Sequence, residues 1–123
     1  TTGFQADVRP YLALSNALVF PSYREGFPNV VMQAGAMGLP CIVTDINGCN
    51  EIIKAGVNGV IVSVKNTDDL LLFMNEFVDN SQLFNQLQAN SRAMIANRYN
   101  QQVIWEAIKK EYIQLTVDPK RVE

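Results

Sequence analysis

The sequence predicts an α/β domain built on a parallel sheet, and three observations carry that prediction. Unbroken apolar runs at Ala17 to Phe20, Cys41 to Thr44 and Val60 to Val64 suit strands covered on both faces, which have no solvent side on which to alternate. Segments of helical periodicity separate or follow these runs, and each strand–helix–strand step implies a right-handed parallel crossover. Glycine, proline and asparagine fall at the joints, where turns and helix ends require them.

The first residues, Thr1 to Phe4, read at most as the tail of a strand. Asp7 is placed to cap a helix with Pro10 in its first turn and Val8, Tyr11, Leu12 and Ser15 on one face. Pro21 and Ser22 stop the strand that begins at Ala17. Pro28 suits the first turn of the next helix, where its missing N–H costs little, and that helix runs through Ala34 and Ala36 toward Gly38. Gly38 fits the position just past the helix end, and Pro40 blocks continuation. Gly35 is expected to permit close packing of helix on sheet.

Asn47-Gly48 and Asn58-Gly59 mark turns around the second strand and before the third. Asn50 is expected to cap a short helix beginning at Glu51. Beyond Val64 the pattern is wholly helical. Thr67 is expected to cap a helix with Asp68 and Asp69 in its first turn and Leu70, Leu71, Met74, Phe77 and Val78 on one face. Ser81 opens another helix through Leu83, Phe84, Leu87, Met94 and Ile95. A last one carries Ile104, Trp105, Ile108, Tyr112 and Leu115 on a single stripe, which reads as packing, with Trp105 as core rather than ligand contact.

Composition narrows the function. The 123 residues make one domain at most, and 48% hydrophobic content suffices for a packed core. Ten basic against twelve acidic side chains give no electrostatic footprint for nucleic acid. No apolar run approaches the length of a membrane span, and no signal peptide begins the chain. Position 1 is Thr rather than Met, which reads as a chain processed or cut from something longer. Cys41 and Cys49 are spaced for neither a disulfide scaffold nor a metal site. Cys41 reads as a small buried hydrophobe, Cys49 as partly exposed in a loop, and both as reduced thiols of a cytosolic protein. Histidine is absent, so chemistry here must use carboxylates, backbone amides or groups outside the chain.

The most informative stretch is Pro21 to Gln33. It joins a strand to a helix through a loop holding Glu25, Gly26 and Pro28, at the edge where open α/β sheets bind ligands. Backbone N–H groups near Asn29 and Val30 start the helix, whose dipole favours an anion such as a phosphate. Glu25 cannot hold that phosphate, because like charges repel; a carboxylate there suits hydroxyl groups beside it, which sugars supply. Gln33 lies eight residues after Glu25, on the helix face shared with Asn29 and Met37, where its amide suits a second set of hydroxyls. Taken alone, Glu25 would read as a solvated surface charge, and its surroundings reverse that. For Gln33, a solvent-facing amide and a ligand contact stand as equal readings. Arg24 reads as surface.

The run from Phe20 to Ile53 resembles the donor-binding core of the retaining glycosyltransferases of the GT-B fold, family 4 or glycosyl transferases group 1. The resemblance rests on the pair Pro21-Ser22, the triplet Glu25-Gly26-Phe27, a polar residue eight positions after Glu25, an Ala/Gly-rich helix and a glycine loop ending in Glu51. It implies a Rossmann-like three-layer parallel sheet, the C-terminal part of a GT-B protein with extra C-terminal helices. Residues 1–123 would then be a single partial nucleotide-sugar-binding domain, with the acceptor domain and the early donor-domain strands absent. By position, Glu25 takes the donor-sugar role. Gly26, Phe27, Pro28, Asn29 and Val30 line the donor, with amides for sugar hydroxyls and diphosphate. Gln33 takes the ribose role, where the family usually has Glu; the amide oxygen still accepts while the charge is lost. Asn47-Gly48 stands where the family often has two glycines, and Asn tolerates the left-handed conformation better than most residues.

The resemblance further implies transfer of a hexose-type sugar from a nucleotide diphosphate sugar to a glycan or lipid-linked acceptor, with retention. No cofactor and no metal are expected. The setting is cytoplasmic polysaccharide biosynthesis at the inner face of the cell membrane, with at most peripheral membrane contact, and this fragment alone is expected to be inactive. A nucleotide-sugar epimerase of the same GT-B fold is the alternative. A non-catalytic α/β binding module, such as a receiver-like domain, is weaker, because Asp45 has no second Asp beside it to hold a divalent ion.

Overall fold

A computed structural model describes residues 1–117. The elements run α1 (Arg9–Ala13), β1 (Leu18–Phe20), α2 (Asn29–Ala36), β2 (Cys41–Thr44), α3 (Cys49–Ile52), β3 (Gly59–Val62), α4 (Thr67–Asp79), α5 (Ser81–Arg98) and α6 (Gln101–Val117). The three strands form one parallel sheet in the order β1-β2-β3. This is the α/β architecture the alternation predicts.

Register divides the core into two layers. Leu18, Cys41 and Gly59 align, as do Val19, Ile42 and Val60, so alternate residues along every strand share a face. Leu18, Phe20, Cys41, Val43 and Ile61 pack with Val31 and Ala34 of α2, Ile52 of α3 and Ile95 of α5. Val19, Ile42, Val60 and Val62 pack on the other side with Leu70, Phe73 and Phe77 of α4 and Leu83 and Leu87 of α5. All four residues of β2 are buried, which is why it reads as an unbroken apolar run.

The end of α2 follows the expected chemistry. Gly38 takes φ +85°, its N–H bonds to Gly35 O, and Leu39 N–H reaches Ala34 O at 2.9 Å, the paired bonds of a Schellman stop. Gly35 itself packs against helix rather than sheet: a Cβ there would lie 2.6 Å from Ile95 Cγ1 of α5. The missing side chain lets α2 and α5 meet.

Several boundaries differ from expectation, two of them because an asparagine takes the cap. Asn66 and Asn80, rather than Thr67 and Ser81, accept from Asp69 N–H and Leu83 N–H, their amides reaching three residues on. Asn50 lies inside α3, whose cap is Gly48, and donates instead to Asp45 Oδ1. Asp7 stands one place before the cap Val8, though its Oδ1 accepts Arg9 N–H and its carboxylate pairs with the Arg9 guanidinium at 2.7 Å. Residues 1–4 form no strand, and β3 starts at Gly59 and ends at Val62.

Asn58 is 1% exposed; its side chain accepts from Lys54 N–H and donates to Ile52 O, so it braces the turn from inside rather than marking a surface one. On α4 the packed side chains are Leu70, Phe73 and Phe77, while Leu71, Met74 and Val78 are exposed. The sharpest correction concerns α6. Trp105 is 62% exposed, and Ile104, Ile108, Tyr112 and Leu115 are exposed with it. Helices α2 to α5 already cover both faces of β2 and β3, so the stripe stays outside this core.

Candidate active site

Parallel pairing puts the carboxyl ends of β1 and β2 on one edge, and with them the two loops that matter. The first runs from Pro21 to Pro28 and enters α2. The second runs from Asp45 to Gly48 and enters α3.

Glu25 is half-buried in the first loop and held by its own neighbours. Ser22 Oγ donates to Glu25 Oε1 at 2.7 Å. The same hydroxyl lies 3.4 Å from Arg24 O, but it has one proton, and the shorter, charge-assisted bond to the carboxylate takes it. Ser22 is fixed in turn from β2, because Thr44 Oγ1 donates to Ser22 O. Thr44 is buried, so this bond ties the loop to the rigid sheet. Glu25 Oε2 is left to accept from something else.

The residues that follow Glu25 in the chain carry a row of unused donors. Among the described residues, the N–H groups of Gly26, Phe27, Asn29 and Val30 have no backbone or side-chain acceptor. Asn29 and Val30 begin α2, where the first turn has no internal partners and the dipole is positive. Pro28 is the buried cap, one place before the first turn where the sequence puts it; having no N–H, it adds no donor but sets the chain's entry into the helix. Gln33 is exposed one turn beyond Asn29, and its side chain has no partner among the described residues. Arg24 is exposed.

The second loop presses against the first. Gly48 has φ +79°, and a Cβ on it would overlap Gly26 O and come within 2.8 Å of Pro28 Cδ. Cys49 follows, and it is buried rather than partly exposed. Burial, with the Glu25 carboxylate nearby, pushes its thiol up to about 11. Burial raises the Cys41 thiol to about 12, with Cys49 adding to the effect. Cys41 is the small buried hydrophobe expected of it.

Three residues of this arrangement were invisible as site residues in the sequence. Ser22 and Thr44 position Glu25. Tyr99, at the end of α5, lies edge-on to Phe27 with ring centroids 5.6 Å apart, and its hydroxyl donates to Glu51 O at 3.2 Å. Ser22 is legible in hindsight, three residues from a carboxylate it can reach. No sequence signal joins Tyr99 to loops 48 or more residues away.

The strand ends also enclose a cavity of about 60 Å³ lined by Pro21, Tyr23, Thr44, Val62, Lys65 and Asn66 among others. Ordinary small-molecule pockets start near about 300 Å³. The site is therefore an edge of donors and one acceptor rather than an enclosed pocket.

Comparison with known proteins identifies the family. The family described as Glycosyl transferases group 1 matches residues 1–80. The chain is 32% identical over 116 residues to the UDP-Gal:alpha-D-GlcNAc-diphosphoundecaprenol alpha-1,3-galactosyltransferase of Escherichia coli, covering 94% of this chain and 30% of that protein. It is 30% identical over 97 residues to the capsular polysaccharide biosynthesis glycosyltransferase CapM of Staphylococcus aureus, covering 79% of this chain and 26% of that one. Among solved structures, Anabaena HepE in complex with UDP superposes with a TM-score of 0.86 at 25% identity, over 93% of this chain and 32% of that chain. The chain thus spans about a third or less of the relatives it matches. With the family match covering most of the chain, and the glutamate, the amide row and the glycine loop at one sheet edge, this chain belongs to the group 1 glycosyltransferases.

Proposed function

We propose that the chain is the C-terminal, donor-binding part of a retaining GT-B glycosyltransferase that moves a hexose-type sugar from a nucleotide diphosphate sugar to a glycan or lipid-linked acceptor. The observation that carries this is the pairing of one preorganised carboxylate oxygen, Glu25 Oε2, with the unused N–H row of Gly26, Phe27, Asn29 and Val30. In this reading Glu25 accepts from hydroxyls of the donor sugar. The amides and the start of α2 hold sugar hydroxyls and stabilise the diphosphate as the bond to the anomeric carbon breaks. The acceptor hydroxyl then bonds that carbon and gives its proton to the departing diphosphate, with configuration retained. Gln33 reaches the ribose hydroxyls through its amide.

Relatives support the ligand classes. HepE was solved with UDP, the E. coli enzyme is named for a UDP-sugar donor and a diphosphoundecaprenol-linked acceptor, and CapM is named for capsular polysaccharide biosynthesis. The reading assigns the remaining donor-domain strands and the acceptor domain to chain outside these 123 residues, so this segment alone transfers nothing. Two features favour that assignment. Among the described residues β1 pairs only with β2, and an apolar groove of about 410 Å³ lined by Val19, Ile42, Phe77 and Phe84 among others flanks its open side. No described helix is long and apolar enough to cross a membrane.

The test is a transfer assay on the full-length protein with UDP-hexoses and a diphosphate-linked lipid acceptor, the product's anomeric configuration being read by NMR. Transfer with retention supports the reading. An inverted product, or an epimerised nucleotide sugar without transfer, contradicts it.

A further inference from the structure

Tyr99 touches the first loop of the site and α3, the helix that the second loop enters. Its ring lies edge-on to Phe27, at an interplanar angle of 68°. Phe27 remains 43% exposed, so Tyr99 supplies a side wall rather than a full enclosure. Its hydroxyl donates to the carbonyl of Glu51, in the helix that the glycine loop enters. The Arg98 guanidinium lies 5.3 Å from the Tyr99 ring centroid. The tyrosine is itself anchored, because it closes α5: its N–H bonds to Ile95 O at 2.9 Å, and Ile95 is buried against Gly35 of α2.

The unused amides sit in the first loop and the start of α2; among the described residues no hydrogen bond joins that loop directly to the second, and Gly26 and Pro28 meet Gly48 in a steric contact. A steric stop prevents approach but not separation. Thr44 ties the first loop to β2, and Tyr99 is placed to tie it to α3: an aromatic contact to Phe27 on one side and a hydrogen bond to Glu51 O on the other, both from one helix end.

We propose that Tyr99 is a positioning residue that clamps the Glu25 loop to the α3 segment and so keeps the amides of Gly26, Phe27, Asn29 and Val30 aimed at the donor. The clamp is a property of the fold, and its effect on the donor rests on the function proposed above. The test uses the full-length protein, hydrogen exchange without ligand, and titration with UDP. Tyr99→Leu removes both contacts, and Tyr99→Phe removes only the hydroxyl. Phe27→Leu removes the ring pair from its exposed side, where folding depends on it least.

For Tyr99→Leu, exchange is expected to rise about tenfold at the Val31 and Met32 amides, which bond to Pro28 O, and at those of Asn50 and Ile52, which bond to Ile46 O and Gly48 O, with β3 unchanged, and UDP binding to weaken about five- to tenfold. For Tyr99→Phe the rise is expected at Asn50 and Ile52, with a smaller loss of affinity. Phe27→Leu should loosen Val31 and Met32 alone. A uniform rise across the chain, or loosened loops with unchanged UDP affinity, would overturn the proposal. If the wild-type protein takes up no UDP, it is the donor reading that fails, and the exchange pattern alone then decides whether Tyr99 clamps the loops.

Discussion

Gly48 is packed so closely against the carbonyl oxygen of Gly26 that no side chain fits between them. The contact joins the loop that carries Glu25 to the loop that starts α3, and it exists because Gly48 also takes φ +79°, which side-chain-bearing residues rarely adopt. Two separate costs would fall on any substitution there.

Gly48→Ala is expected to destabilise the folded protein by about 2 to 4 kcal/mol, combining backbone strain with overpacking. Gly56→Ala is the control, since Gly56 has a similar φ of +76° but open space around its would-be Cβ. That variant should cost about 1 kcal/mol, from strain alone. Urea unfolding of the two side by side measures the difference, and equal costs would mean that the Gly26 contact does not constrain the loops.

Ser22→Ala removes the hydrogen bond that orients Glu25. Because Ser22 is near the surface and its loss leaves no buried donor stranded, stability should change by no more than about 1 kcal/mol. The donor kcat/KM of the full-length enzyme should fall about tenfold, or about 1.4 kcal/mol in transition-state stabilisation. A kinetic profile identical to wild type would show that Glu25 needs no orienting partner.

The two thiols predict how stability responds to alkali. Both pKa values are raised by burial above the unfolded value of 9.0, to about 11 for Cys49 and about 12 for Cys41. Between those limits the folded state holds protons that the unfolded chain releases, so the thiol contribution is intact below pH 9 and is lost as the pH rises through 11 to 12. Thermal melts between pH 8 and 11 should show this fall, and it should be shallower in Cys49→Ala. At pH 8 neither thiol of the folded protein should react with iodoacetamide within a period that labels both in urea. Rapid labelling of Cys49 under native conditions would contradict its burial.

Gln33→Glu restores a carboxylate on an exposed face of α2. It is expected to be tolerated by the fold and to bind nucleotide as tightly as wild type or more tightly, because a carboxylate accepts from both ribose hydroxyls. Isothermal titration of the full-length variant with UDP checks this, and complete loss of affinity would contradict it.

The parts of this molecule that sequence made legible are those fixed by local chemistry. The all-buried strand β2 was plain in its apolar run, and Gly38 and Pro40 marked the end of α2. The Glu25 loop stood out because strand, carboxylate, glycine and proline lie within a few residues of one another. Caps were misplaced by one residue at Thr67 and Ser81, since an asparagine beside each also fits the pattern and the sequence does not show which amide faces the helix. Tertiary facts were not legible. Gly35 meets Ile95 across 60 positions of chain, Asn58 turns inward, and Tyr99 reaches Phe27 and Glu51. The stripe on α6 shows the converse failure: periodicity reports which face is apolar, and not whether anything in this segment is there to cover it.

The central claim is that Glu25 holds the donor sugar, and the most direct test is turnover of the full-length enzyme carrying Glu25→Gln. The substitution keeps size and the capacity to accept from Ser22 while removing the charge. The account predicts an unchanged melting temperature and UDP affinity near wild type, with sugar transfer reduced about a hundredfold or more. Transfer at a near-normal rate would contradict it.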